Sequence, residues 1–492
     1  MSWFLVLVSH AFAFPCGLQA HMDRIASTPF RVPITQTTGD ELLSRDPFDI
    51  VGREEFTRHF AVRWGANAVY NQDLIFALGD ILEEVWQTEV ETLGYPKPRG
   101  TDLHRLNVYV GDTGGGTPSA GFTTAYVTVD DEGYPFMVLS PYVLDAAEWG
   151  DFDTVRSVIA HEFFHTLQIT TDAFVYEGRA GWFWEATANW MVQHVDPDNP
   201  TIGNLVGAYA VLPHLSVGLF DYPDEGTLAE SHHYGAEVFI SHLDEGYGGP
   251  EMIRAAWLES DAKDLPLGVL DTLLADQGSS LDESFSLFAV QNVTFRDYLY
   301  HANYQASVEL YASFFPDEAR LFAATLASNG TQDWETPRQA YFPRGWSYNH
   351  IRWLNPSPGK ILAAVQADTE GSEGSPSRMF ASVIRVTDAG VFATPVLEGG
   401  TEGEVEIITT GDEDAVILAV GAHPDTWGDE EHFGYQFQLG YLERFTAEPG
   451  SASWEPIREG CQCQASALPP SALLWWAPLT LIWRRRRASR TA

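Results

Sequence analysis

Cysteine is nearly missing from this chain: of 492 residues only Cys16, Cys461 and Cys463 carry a thiol, and all three lie near the ends. The long central body should therefore hold no disulfide and no cysteine-ligated metal site, so any metal must use His, Asp or Glu. Positive charge is scarce too. Lys and Arg number 28 against 68 Asp and Glu, and the net charge of -40 would repel a phosphate backbone over most of the surface. Nucleic acid is thereby excluded as a partner. No apolar run reaches the roughly 20 residues of a full bilayer span, and no segment repeats at a fixed period. What is present is the composition of a folded protein, 45% hydrophobic and 13% aromatic, and a length that suits about two to four domains.

The two ends read as addresses. Residues 3–14 (WFLVLVSHAFAF) form a short apolar run, with cleavage candidates after Ala13 or Ala20, the layout of a secretory signal peptide over residues 1–20. It has no Lys or Arg before the run and is interrupted by His10; a buried N-terminal strand is the alternative. At the other end Cys461-Gln462-Cys463 precedes a Ser/Ala/Pro spacer, a short apolar stretch over 472–483, and the cluster Arg484-Arg485-Arg486-Arg487. Such arginines stay on the cytoplasmic side. This order resembles the C-terminal sorting signal of myxobacterial surface proteins. The resemblance implies a tail cut near the cysteines and a lipid-anchored new end; a plain C-terminal membrane anchor over 471–492 is the alternative. Both readings give an exported body at the cell surface, the outer membrane or outside the cell.

Between the ends, hydrophobic periodicity predicts an α+β half and then an all-β half. Strands are expected at 60–64, 104–110, 124–129 and 136–139, and helices at 74–93, 153–169 and 182–194. Further helices are expected at 234–243, 250–259, 267–275, 281–290 and 295–304. From about residue 340 the period changes to two, with strands at 350–354, 361–367, 381–386, 404–408, 415–420 and 433–442, a β-sandwich pattern. The domains so drawn are 50–335 and 340–448, followed by a linker over 449–470 that contains the cysteine pair. Gly114-Gly115-Gly116 lacks a following Gly-Lys-Ser/Thr and is no phosphate loop; it should let a loop or edge strand approach the cleft.

The chemistry concentrates on one helix. His161-Glu162-Phe163-Phe164-His165 places two imidazoles four residues apart on one face, able to converge on one ion, with Glu162 about 100° round and able to reach a water on it. Phe163 and Phe164 are expected in the helix core. The next helix carries Trp182-Phe183-Trp184-Glu185-Ala186-Thr187-Ala188-Asn189-Trp190, with Glu185 twenty positions after His165 and Gly178 and Gly181 in the connection. These segments resemble the gluzincin metallopeptidases, the thermolysin-like zincins, whose third ligand is a glutamate on the next helix at this spacing. They look closer still to surface metalloproteases of myxobacteria with the same tail.

The resemblance implies a zincin-like catalytic domain, a mixed sheet plus active-site helix and then a helical subdomain. It implies Zn2+ held by His161, His165 and Glu185, Glu162 as general base, and a polypeptide substrate. Gln168 and Thr171 stand where the metzincin branch would need Gly and His, which excludes that branch. Glu177 is a competing ligand candidate. Asn189 stands where thermolysin-like enzymes place a carboxylate that orients the first histidine; its amide oxygen can accept the same hydrogen bond. For the oxyanion donor the candidates are Tyr234 and His232, in Ser231-His232-His233-Tyr234, against the alternative of a capping serine followed by packed aromatics. Asp196 and Asp198 suit calcium or a solvated acidic turn. The expected function is zinc-dependent hydrolysis of peptide bonds by a surface or secreted endopeptidase; the rival is a non-catalytic adhesion protein with a structural or vestigial zinc site.

Overall fold

Long apolar strands need a partner on each face, and the first half of the chain supplies both. The computed structural model describes residues 16, 18–31, 42–175, 178–218, 220, 227–327, 329–331, 333–394, 397–399, 402–426, 431–444 and 454–456. The first sheet contains β1 (Gly52–Phe56), β2 (Phe60–Gly65), β3 (Leu106–Val110), β4 (Ala125–Val129) and β5 (Pro135–Leu139) in the order β1-β2-β3-β5-β4. The two inner pairings are parallel and the two outer ones antiparallel. Strands β2 to β5 are buried almost without interruption, as expected of strands covered on both faces. Phe60, Val62, Leu106 and Val108 face the helices, while Tyr109, Tyr126, Phe136 and Val138 pack under Ile50 on the other side.

On the helical side lie α1 (Met22–Ser27), α2 (Gln72–Trp86), α3 (Pro141–Glu148), α4 (Phe152–Thr171) and α5 (Gly181–Val195). Their starts follow local chemistry: Asn71, Ser140 and Asp151 each accept a main-chain N–H of the first turn, and Pro141 occupies a position whose N–H has no helical partner. The expected helix at 74–93 widens after Trp86 into a π-helical turn, Gln87–Thr92, with bonds five residues apart. The region that follows is helical as predicted, with α6 (Val206–Ala210), α7 (Thr227–Glu230), α8 (His232–Gly235), α9 (Glu237–Leu243), α10 (Pro250–Leu258), α11 (Pro266–Asp276), α12 (Leu281–Gln291) and α13 (His301–Phe314). Two expectations fail. The helix drawn at 234–243 is broken at Ala236 between α8 and α9. The one drawn at 295–304 starts only at His301 and runs to Phe314, because Phe295 sits at φ 58° in the left-handed region and cannot begin a helix.

The second half is all β: β6 (Ala324–Leu326), β7 (Ser347–Leu354), β8 (Gly359–Ala367), β9 (Ser377–Thr387), β10 (Gly390–Ala393), β11 (Leu397–Gly399), β12 (Glu402–Thr409), β13 (Glu413–Pro424), β14 (Tyr435–Tyr441) and β15 (Trp454–Pro456). One sheet is built on β9-β13-β7, and a smaller one has the order β12-β8-β14. The two enclose a shared core of Trp353, Val365, Val383, Leu418 and Phe437. The opposite face of the larger sheet, including Tyr348, Phe380, Ile384 and Ile417, belongs to the main core with the helices. The β half is thus a layer packed onto the helical half through one continuous core. The linker expected over 449–470 is also corrected in part, since Trp454–Pro456 pairs with Leu397–Gly399.

Of the expected leader over residues 1–20, only Cys16 and residues 18–20 are among the described residues. Residues 18–21 form a 3-10 turn leading into α1, and Leu18 and Ile25 are buried in the main core. Arg24 donates to the Val129 carbonyl at 2.6 Å, and His21 stacks on Tyr126. Residues 1–15, Glu177 and the tail over 457–492 lie outside the described residues. Among the described residues no helix is long and apolar enough to cross a membrane. The triglycine loop docks on the first sheet's edge, where Val51 donates to the Gly115 carbonyl at 2.8 Å, and does not line the cavity by the site.

Candidate metal centre

Helix α4 is buried from Ile159 through Ile169, and α5 is buried on nearly every side, so both are interior helices rather than amphipathic surface ones. Phe163 and Phe164 are fully buried as expected. Between the helices the chain leaves α4 through two non-glycine residues in the left-handed region, Asp172 and Phe174, both at φ 60°. Gly178 and Gly181 do not make that turn. Gly181 is needed for packing instead, since a Cβ there would stand 2.6 Å from the Phe220 ring.

The polar side chains on the facing sides of α4 and α5 fix one another. Gln168 donates through Nε2 to the Trp184 carbonyl and to Thr187 Oγ1, both at 3.0 Å. Its oxygen is thereby turned to His165 Nδ1, 2.5 Å away. In the same way Asn189 donates to the Tyr234 carbonyl at 3.1 Å, and its oxygen faces His161 Nδ1 at 2.8 Å. Each imidazole therefore carries its proton on Nδ1 and presents a lone pair at Nε2. The two Nε2 atoms lie 3.0 Å apart, and Glu185 Oε2 is 3.1 Å from one and 3.6 Å from the other. Three acceptors converge with no donor assigned among them. Two ligands about 2.05 Å from a tetrahedral ion would stand about 3.3 Å apart, so the spacing fits a metal. Among the described residues, Cys16, His161, His165 and Glu185 form a group able to hold one, with ligand atoms all within 4.8 Å of one another.

Electrostatics agree with that charge demand. Burial alone would raise the Glu185 pKa, yet without a metal the charge that His165 and His161 take up when protonated at Nε2 outweighs it and holds the carboxyl well below its ordinary range. Glu162 behaves in the opposite sense: it is 2% exposed, its Oε2 has no hydrogen-bond partner, and burial raises its pKa against the pull of His161 and His165. A cavity of about 160 Å3 opens beside it, lined by His161, Glu162, Tyr234, Glu237, Val192 and Leu205 among others.

Of the two oxyanion candidates only Tyr234 lines this cavity. Its hydroxyl accepts the Cys16 N–H at 3.1 Å. His232 is displaced from the site: it is fully buried against Tyr209, with ring centroids 4.6 Å apart, and burial followed by His233 lowers its pKa to about 3. The short helix α8 points successive side chains in different directions, which adjacency in sequence conceals. Ser231 lines the cavity and its side chain makes no cap, so the capping alternative fails as well. Asp196 ends α5, accepts from Asn199 at 3.2 Å and faces Arg156 at 4.0 Å, as a structural acidic turn does.

Sequence reasoning missed three groups. Cys16 was set aside with the leader. Gln168 lies on the same helical face as His165, three residues on, a spacing that could have identified it. Glu237 is 6% exposed, its Oε1 has no partner, and burial lifts its pKa to about 8 against the influence of His161.

Two predictions follow from these surroundings. Between about pH 4.5 and about pH 8 the folded Glu237 keeps a proton that the unfolded chain releases, so stability falls as pH rises through that window and is level above it. In metal-free protein Glu237→Gln is expected to unfold at nearly the native temperature at pH 4.5 and at a higher one at pH 9, the gain bounded by about 5 kcal/mol; equal melting curves at pH 9 would refute the burial argument. Asn189→Asp should tighten metal binding by about 10-fold and Asn189→Ala loosen it by about 10- to 100-fold, since the partner of a ligating imidazole sets its basicity. Competition with a chromophoric chelator measures both.

Residues 30–390, about three quarters of the chain, match a family of unknown function, DUF6055. The chain belongs to this family. The match includes His161, Glu162, His165, Glu185, Asn189 and Tyr234, and begins after Cys16. It also passes through the boundary at 335–340 and ends at the start of β10, in keeping with a core shared by the helical and β halves. No curated protein shows a significant match to the chain.

Proposed function

We propose that this chain is a zinc-dependent endopeptidase of the gluzincin type, exported and held at the cell surface. The observation that carries the reading is the convergence of His161, His165 and Glu185 acceptors on one point, with the unpartnered Glu162 carboxyl beside them at a cavity. A mixed sheet followed by the two helices α4 and α5 supports the zincin assignment. Zinc suits two imidazoles and a carboxylate, and when bound it acts as a Lewis acid that brings the pKa of a water from about 15.7 toward about 7.

The chain's own groups supply the rest. Asn189 and Gln168 hold the two imidazoles with Nε2 forward. The Glu162 carboxylate takes a proton from the attacking water and hands it to the departing amine. Tyr234, whose oxygen accepts an N–H from Cys16, keeps its own hydrogen for a developing oxyanion. That same contact supports a polypeptide substrate, because a main-chain amide already lies against the site.

A non-catalytic surface protein with a structural metal is the second reading, and Cys16 favours it, since four protein ligands are the mark of closed structural sites. The test is to incubate the zinc-loaded chain and its Cys16→Ser form with an unfolded protein mixture, each with and without Glu162→Gln, and to read the cuts by mass spectrometry. Internal cuts that vanish with Glu162→Gln support the peptidase. No cuts in any arm, with zinc bound, leave the structural reading.

A further inference from the structure

The Cys16 sulfur is 3.5 Å from His165 Nε2. A sulfur about 2.3 Å and a nitrogen about 2.05 Å from one tetrahedral ion would be separated by about 3.6 Å, so the thiol stands where a fourth ligand belongs. Glu162 lines the same cavity as Cys16, and its Oε2 is buried without a partner. Cys16 lies in the cavity that substrate would have to enter. From the proposed function, on which this step rests, we propose that Cys16 is a fourth metal ligand and that it forms, with residues 18–31, a latch that holds the centre closed until it leaves.

The attachment of the segment suits a latch. It is fastened at separate points: Leu18 and Ile25 in the core, His21 on Tyr126, Arg24 on Val129 and Asp131, and the Arg31 N–H on the Glu132 carbonyl at 2.9 Å. It lies on the outermost strand β4, where it takes no place in the hydrogen-bonded sheet order. Leu43 pairs with His104, just before β3, at the end of the sheet where Arg31 meets the Glu132 turn. Removing the latch would leave every strand pairing of the first sheet intact. Cys16 also precedes the residues matched by the family, whereas the other three ligands fall within them. Ligation requires the thiolate: the S–H bond breaks, the S–metal contact forms and the proton passes to solvent. Departure of the segment reverses those steps and vacates the fourth position.

The test uses the full chain with Cys461→Ser and Cys463→Ser, so that Cys16 is the only thiol, loaded with cobalt(II) and separately with zinc. The cobalt form is expected to show a thiolate-to-metal charge-transfer band in the near ultraviolet that Cys16→Ser abolishes while one metal per chain is retained. Alkylation of Cys16 by iodoacetamide should be slowed at least 10-fold by bound zinc and restored by chelation, a readout that needs no variant. In the zinc form Cys16→Ser should raise peptide cleavage at least 10-fold. Absence of the band, or alkylation unaffected by zinc, overturns ligation by Cys16 even if the chain cleaves peptides. A band together with equal cleavage by both forms overturns the latch. A band with no cleavage by either form overturns the proposed peptidase, and with it the latch, while leaving the four-ligand centre in place.

Discussion

Glu162→Gln, made in the Cys16→Ser background, is expected to lower kcat/KM by about 10²- to 10⁴-fold, the usual contribution of a positioned general base. The amide has the size of the carboxyl and can occupy the same buried place, but it cannot accept the proton of the attacking water. Glu162 is outside the ligand group, so the metal content should be unchanged. Stability should be unchanged or higher, because burial disfavours the Glu162 carboxylate and its Oε2 has no partner to lose. Three measurements on one variant, cleavage, metal stoichiometry and melting temperature, therefore separate a chemical role from a structural one. Retained cleavage would refute the assignment of Glu162. Lost cleavage accompanied by lost metal would show that the carboxyl supports the ligands instead.

The elements that position the centre were legible because their signals are local. Helix α4 begins at an Asp cap, and its stretch from Ile159 to Ile169, which holds the two histidines, is buried throughout; α5 follows at the spacing that lets Glu185 face them. Four strands of the first sheet were visible in their hydrophobic pattern, whereas the mostly exposed edge strand β1, Gly-Arg-Glu-Glu-Phe, carries no such pattern and was not foreseen. The failures have physical causes of another kind. Phe295 adopts a left-handed conformation that no propensity indicates, and its cost is met by a buried ring packed on Tyr298. The helix at 234–243 breaks at Ala236, directly after Gly235, a glycine inside the apolar pattern that marked the place and was read through.

The site itself divides along the same line. His161, His165 and Glu185 share two neighbouring helices, so spacing alone brought them together. Cys16 reaches the same point from nearly 150 residues away, through a segment that composition marked as a leader. A cysteine count could exclude a thiol from the middle of the sequence; it could not exclude one from the middle of the fold. His232 illustrates the converse, since a residue two places before Tyr234 on a one-turn helix faces the Tyr209 ring and not the cavity.

Glu185→Ala is expected to weaken zinc binding by at least about 100-fold. An apparent binding free energy of about 10–16 kcal/mol for four-ligand zinc sites assigns about 3 kcal/mol to each ligand, and the carboxylate is the ligand that carries negative charge among the three from α4 and α5. The loss should extend to the metal-free fold, because Glu185 is the anion that both His161 and His165 contact, at 3.1 and 3.6 Å. Removing one member of a buried charged group costs up to about 3–5 kcal/mol, less to the extent that the imidazoles stay neutral. Glu177→Ala is the matched control: it removes a carboxylate from the connection between the same helices, and zinc affinity should remain native. Titration of both variants against a competing chelator decides between them. Native affinity in Glu185→Ala with lost affinity in Glu177→Ala would transfer the third ligand to the loop, and would require the two lone pairs 3.0 Å apart at His161 and His165 to be met by an acid that α5 does not carry.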